Sequence, residues 1–252
     1  MNKAERSGGA TFVLLGPPGA GKSTQGVRLS QLLEGTFFST GNLLREEVNS
    51  QSALGQRIET IINAGGTVTE GLLLPVLEKT MTRISYGHIA ILDFAGTGEQ
   101  CAALDEMLVK YSRAVFASLI FEIPPSESRA RLIARGRTDD EIEMIDKRLT
   151  LYEQEIVPVR RYYTERGLLR IVDGIGTSEE VTERLLTQIL LHLPYTSPNG
   201  QRSGVRGQGS EIWGRRRRIN QLINSLTHQR ISAKGGSAFS GNASINDAIY
   251  GE

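Results

Sequence analysis

A chain of 252 residues with 39% hydrophobic residues has material for one large domain, or one domain with appendages, around a buried core. Its net charge of +1 is unevenly spread: from Tyr195 onward eight Lys/Arg face three acids, so the body is mildly acidic and the tail basic. The single cysteine, Cys101, excludes an internal disulfide and a cysteine-built metal site; with no signal-peptide core and no apolar run near the ~20 residues that span a bilayer, a soluble cytoplasmic protein is expected.

Residues 1–10 read as a polar N-terminal extension. Thr11–Leu15 is a β-branched and apolar run, as a buried parallel strand should be. It leads into Gly16-Pro17-Pro18-Gly19-Ala20-Gly21-Lys22-Ser23, which fills every fixed position of G-x-x-x-x-G-K-[ST]. Val27, Leu29, Leu32 and Leu33 follow at near-helical spacing. A strand, a glycine loop and a helix in that order aim backbone N–H groups and a helix dipole at one point, which suits a phosphate. Lys22 would reach the β- and γ-phosphates, and the Ser23 hydroxyl would take a Mg²⁺ position.

Thr36–Ser39 is a short apolar stretch. Helical patterns follow over Asn42–Asn49, Leu54–Ala64 and Glu70–Ile84. His88–Leu92 is a second buried strand, ending on Asp93. Gln100–Tyr111 is helical, Ala114–Phe121 a strand, Ser126–Ala134 and Asp140–Tyr163 helices. Leu168–Val172 is a further strand and Glu179–Leu191 the last helix of the body, with Pro158 placed to kink the helix before them. Strands alternating with helices predict a parallel sheet covered on both faces, the α/β class.

Composition changes at Pro194. Residues 197–210 are Gly, Ser, Arg and Gln without apolar periodicity and read as a flexible linker. Within 212–231, Arg215–Arg218 lead into Ile219, Leu222, Ile223 and Leu226 at i, i+3, i+4 and i+7, a basic helix candidate. Such a segment is either a solvated extension with a transient helix, or a contact for a polyanion or a protein partner. In the body, Arg129, Arg131, Arg135, Arg137 and Arg148 form an arginine-rich constellation whose planar cations suit a polyphosphate.

The ordered set of motifs resembles the nucleoside monophosphate kinases, the adenylate kinases most closely. Gly16–Gln25 is similar to the family's phosphate loop, and Phe38–Arg45 to its S-T-G-D-x-L-R segment. Ala64–Val68 resembles the turn closing the monophosphate site, and Ile91-Leu92-Asp93 the end of the third strand. Arg131, Arg135–Asp140 and Lys147-Arg148-Leu149 resemble the lid and the arginines behind it. The likeness runs from about Thr11 to Leu191. It implies a P-loop NTPase fold, with a five-stranded parallel sheet flanked by helices. The kinase-like domain would span 11–194, with a helical monophosphate-binding insertion at about 39–84 and a short lid at about 131–140. A tail over 195–252 would follow.

Carried over by residue, the resemblance implies that Gly16, Gly19, Ala20, Gly21, Lys22, Ser23 and Thr24 hold ATP, with Mg²⁺ on Ser23 directly and on Asp93 through water. Thr40, Arg45, Val68 and Gln100 address the monophosphate. Arg131 and Arg135 gather phosphates, and Arg137 and Arg148 bridge donor and acceptor. The expected reaction is ATP + AMP giving two ADP, by a monomer. The alternatives are a kinase for UMP, CMP or GMP, and a nucleotide-binding module with little kinase activity that acts in an assembly through its tail.

Two departures stand out. The family reads D-G-[FY]-P-R-[ST]-x-x-Q after the third strand. This chain reads Asp93-Phe94-Ala95-Gly96-Thr97-Gly98-Glu99-Gln100, one residue shorter and without the Pro-Arg pair that would grip the acceptor phosphate. Asn42 stands where the family has an Asp. The donor half is expected intact and the acceptor half altered.

Overall fold

The computed structural model describes residues 9–64, 66–84, 88–94, 96–136, 141–192 and 217–227. Five strands, β1 (Ala10–Leu15), β2 (Thr36–Ser39), β3 (Ala90–Asp93), β4 (Ala114–Glu122) and β5 (Leu169–Asp173), form one sheet in the order β2-β3-β1-β4-β5. Every pairing is parallel. Between and after the strands run the helices α1 (Lys22–Leu32), α2 (Thr40–Asn49), α3 (Ala53–Asn63), α4 (Glu70–Met81), α5 (Gly98–Lys110), α6 (Pro125–Arg135), α7 (Ile142–Glu165) and α8 (Ser178–His192). The α/β expectation holds, and strand β1 sits at its centre.

Period-2 alternation sends side chains of one strand to opposite faces, and the core divides accordingly. Phe12, Leu14, Ile91, Leu119 and Phe121 lie on one face with Leu29 of α1 and Leu185, Leu186 and Ile189 of α8. Val13, Leu15, Leu92 and Ile120 lie on the other, against α4, α5 and α7. Both faces being covered explains why the strands read as continuous apolar runs.

The chain passes from β1 outward to β2 and β3 on one side, then to β4 and β5 on the other. The C-terminal ends of β1, β3 and β4 therefore flank a topological switch point, where α/β sheets open a crevice. The phosphate-loop sequence follows β1 at this edge, and Asp93 closes β3 beside it.

Between β2 and β3 stands a three-helix arm, α2 to α4, tied by Glu47. Ser52 Oγ donates to Glu47 Oε1 at 2.6 Å while accepting from the Gly55 N–H at 2.9 Å, so one hydroxyl caps α3 and anchors α2. Lys79 of α4 donates to Glu47 Oε2 at 2.9 Å. The Ser52 hydrogen bond, then the Lys79 one, hold the Glu47 carboxyl below its usual range.

One expectation needs correction. Residues 217–227 are not part of an unattached tail: they form a helix, α9, seated on the body. Ile219 and Ile223 are each 1% exposed, within the cluster that holds Leu29, Leu186 and Ile189, and Leu222 and Leu226 pack against it. Arg218 pairs with Glu34 at 2.7 Å, just beyond α1, and Thr227 Oγ1 donates to Glu183 of α8 at 2.8 Å. The i, i+3, i+4, i+7 stripe thus meets the α1–α8 face because both are apolar and each covers the other. The remainder of 195–252, including Arg215 and Arg216, lies outside the described residues.

Candidate active site

The loop between β1 and α1 makes its turn with Gly16, Gly19 and Gly21 at positive φ. Gly19 (φ 82°) shows why: a Cβ there would stand 2.7 Å from the Ser128 carbonyl oxygen and 3.0 Å from Leu132 Cγ. Only glycine combines that dihedral with such close approach. The Ser128 hydroxyl donates to the Pro18 carbonyl, so α6 is fastened directly to the loop. Gln25, in the same motif, is buried and couples α1 to α8 through hydrogen bonds with Ser178 and Thr182.

Lys22 lies in the loop it terminates. Its ammonium donates to the carbonyls of Gly16 (2.8 Å) and Pro17 (3.0 Å) and stands 3.9 Å from Asp93 Oδ1. Desolvation lowers its pKa; the Asp93 charge opposes that, and the positive charge of Arg135 adds to it. Asp93, 8% exposed, accepts from Ser23 Oγ at 3.1 Å and from Ser39 Oγ at 3.3 Å, both on Oδ2. Thr40 Oγ1 donates to the Asp93 backbone carbonyl at 2.9 Å. The ends of β1, β2 and β3 thus converge on one carboxylate, one ammonium and three hydroxyls. Ser39 is a member that sequence reasoning passed over, although the S-T-G segment contains it.

Across the insertion, Gln100 is 3% exposed and its amide is engaged at both ends. Oε1 accepts from the Thr97 N–H (2.9 Å) and Nε2 donates to the Val68 carbonyl (2.7 Å). Thr97 and Gln100 form a capping box that starts α5 at Gly98, two residues before the sequence pattern suggested. Two residues assigned to the monophosphate, Val68 and Gln100, are therefore brought into direct contact. Arg45, exposed on α2, donates to Asn42 Oδ1 at 2.6 Å.

The arginines separate. Arg131 is turned to the β5–α8 loop, donating to Glu127 Oε1 (2.7 Å) and through both Nη atoms to the Gly174 carbonyl (3.2 Å each). Arg135 is exposed at the end of α6, close enough to Lys22 for its charge to be felt there. Arg148 rises from α7, donating to the Met144 carbonyl at 3.3 Å. Arg129 pairs with Asp146 at 2.8 Å, joining the α6 and α7 stems. Arg137 lies outside the described residues, as do residues 138–140 of the expected lid.

A glycine loop and lysine at the C-terminal edge of the central parallel strand, facing a carboxylate at the end of the next, define a P-loop nucleotide-dependent phosphotransferase. Comparison with known proteins narrows this. The adenylate kinase family model matches residues 14–168. The chain is 37% identical over 179 residues to the adenylate kinase of Parasynechococcus marenigrum, an alignment covering 71% of this chain and 97% of that protein. It is 36% identical over 183 residues to the adenylate kinase of Stenotrophomonas maltophilia (71% and 98%), and 35% over 181 residues to that of Thermus thermophilus (70% and 95%). The chain belongs to the adenylate kinase family. It is an ATP-binding kinase with the five-stranded sheet that family uses. Among the described residues no helix is long and apolar enough to cross a membrane.

Proposed function

We propose that this chain catalyses the reversible, Mg²⁺-dependent transfer of a phosphoryl group from ATP to AMP, with Lys22, Ser23 and Asp93 on the donor side and Thr40, Arg45, Val68 and Gln100 on the acceptor side. The observation that carries the reading is the convergence of Lys22, Ser23 and Asp93 at the sheet's switch point, with the Val68–Gln100 wall formed between the adjoining arm and α5.

Phosphoryl transfer needs positioning and charge neutralisation more than covalent chemistry. The Lys22 ammonium rests on the Gly16 and Pro17 carbonyls. A phosphate offers it full negative charge in their place, so exchange of partners favours ATP and counteracts the desolvation that depresses its pKa. Ser23 and Asp93 provide a hydroxyl and a buried carboxylate side by side, a hard oxygen donor set that fits Mg²⁺, an ion that keeps several waters and takes few protein ligands. Bound there, the ion would supply further charge neutralisation at the phosphates. Arg135 and Arg148 stand on the stems that flank the lid segment, where guanidinium groups can follow the transferring charge.

For the acceptor, Gln100 and Val68 form a wall in which the side-chain amide donates to the main-chain carbonyl. Both groups are of the kind an adenine edge pairs with, and the base would reach them by exchanging with their mutual hydrogen bond. A coupled assay with ATP and a panel of monophosphates tests the assignment: AMP should be the best acceptor. A clear preference for UMP, CMP or GMP overturns the AMP assignment, and ATP binding without turnover of any monophosphate would favour a nucleotide-binding module instead.

A further inference from the structure

Helix α7 is more than the far stem of the lid. Three of its residues face the acceptor region. Lys147 Nζ donates to the Ala64 carbonyl at the end of α3, at 3.0 Å. Glu155 Oε1 accepts from Thr67 Oγ1 at 2.5 Å. Pro158 lies against Gly98, where an added Cβ would be 3.1 Å from the proline Cβ. Offsets of eight and eleven residues are close to two and three helical turns, so the three share one side of α7.

The Glu155 contact leads furthest. Thr67 is one residue from Val68, whose carbonyl takes the Gln100 amide, and Gln100 in turn holds the Thr97 N–H at the start of α5. A half-buried carboxylate therefore sits at the head of a chain of contacts running Glu155, Thr67, Val68, Gln100, Thr97. The chain ends in the loop that is one residue short and carries no arginine. With no guanidinium in that loop to grip the acceptor's phosphate, acceptor binding depends more heavily on how the base-side wall is held. A short hydrogen bond to an ionised carboxylate is among the stronger restraints available. It also ties the wall to the helix that bears Arg148.

We infer that Glu155 is a positioning residue for the acceptor nucleotide: through Thr67 it holds the Val68 carbonyl and the Gln100 amide in place, on the helix that bears Arg148. The inference rests on the proposed ATP-to-AMP reaction. Glu155 acts through Thr67, and the contacts running from it to Thr97 include none of Lys22, Ser23 and Asp93, so its loss should be felt by one substrate.

Steady-state kinetics on the full chain test it, with AMP and ATP each varied in turn. Glu155→Ala should raise the KM for AMP about tenfold and leave the KM for ATP within twofold. Thr67→Val should give the same split, and the double variant should be no worse than either single one, since both remove one contact. Glu155→Gln, which can still accept from the Thr67 hydroxyl, should recover most of the AMP affinity. A KM for AMP that stays within twofold in both single variants, or one that rises in step with the KM for ATP, overturns the inference while the reaction stands. Absence of AMP turnover in the unmodified protein overturns the reaction and the inference together. Should Glu155→Ala not fold, Thr67→Val alone carries the measurement.

Discussion

The two halves of the proposed site are built on different terms. On the donor side the contacts are made by the backbone of a glycine loop, by Ser39 and Asp93 at the ends of the adjacent strands β2 and β3, and by Lys22 at the start of α1. These groups are held by the sheet itself, and there is little freedom in where they can be. On the acceptor side the residues sit on a helical arm and a shortened loop, and their placement depends on side-chain bonds between segments distant in sequence, Thr67 with Glu155 and Gln100 with Val68. The donor half is positioned by topology and the acceptor half by a few polar contacts. Substitutions should therefore be tolerated least in the first and retune affinity in the second.

The most severe break in that contrast is Lys22→Ala. Removing one preorganised cation from the transferring phosphate should cost at least 10²–10³ in kcat, with the fold retained by circular dichroism. Full activity at limiting and saturating ATP would remove the phosphate loop from the argument.

The next test concerns what supports the donor half. Deleting everything beyond Tyr195 removes α9 and uncovers the apolar face of α1 and α8. Ile219 and Ile223 are each fully buried, and such side chains contribute about 1.5–3 kcal/mol apiece. The truncated chain should therefore melt at a lower temperature, each 1 kcal/mol lost lowering Tm by roughly 2–4 °C in a domain of this size, with the ratio of AMP to ATP affinity unchanged. An unaltered melting curve would show that α9 adds nothing to the core.

A third measurement compares the halves directly. One charge-assisted contact to the acceptor phosphate is worth about 1.5–3 kcal/mol, so its absence from the 94–98 loop should leave AMP at least tenfold weaker than ATP in calorimetry. Equal affinities would contradict the comparison. Restoring the arginine in place is blocked sterically. A Cβ at Gly96 would stand 2.5 Å from Gln100 Oε1 and 2.6 Å from the Phe94 ring, so Gly96→Arg alone should worsen AMP binding.

The smallest effect falls on the acceptor arm. Because the folded Glu47 carboxyl is held below its usual range, its contribution is present above that range and disappears as the pH falls through the folded value. Lys79 is largely exposed and adds little. Glu47→Gln should cost about 1 kcal/mol near neutrality, and urea titrations should show the gap from the unmodified protein closing as the solution is acidified. A gap that persists unchanged below pH 3 would assign the effect to shape instead of charge.

Local chemistry made much of this readable beforehand. The phosphate loop is spelled out contiguously, and Asp93 ends an apolar run that had to be a strand. Ser39 and Thr40 adjoin a recognisable segment. Thr97-x-x-Gln100 is itself a capping signature, and it would have placed the start of α5 correctly. Other features had no local trace. Thr67 and Glu155 are 88 residues apart, and a threonine beside a turn and a glutamate on a helix are individually unremarkable. The stripe Ile219, Leu222, Ile223, Leu226 announced a face in need of cover, but periodicity carries no address. The α1–α8 surface it meets is made of residues that already had a reason to be apolar. Helix ends also drifted: α4 stops at Met81 instead of Ile84, where capping and not periodicity decides.

The seating of α9 also has a bearing on synthesis. A ribosome moving at about 5–20 residues per second needs roughly 2–7 s to pass from the end of α8 at residue 192 to the end of α9 at residue 227. During that interval the sheet, both halves of the proposed site and helices α1 to α8 have already been translated, while the apolar surface that α9 will occupy faces water. The nascent chain therefore has an open, greasy flank for a few seconds, the kind of surface a holding chaperone binds and α9 would then cover.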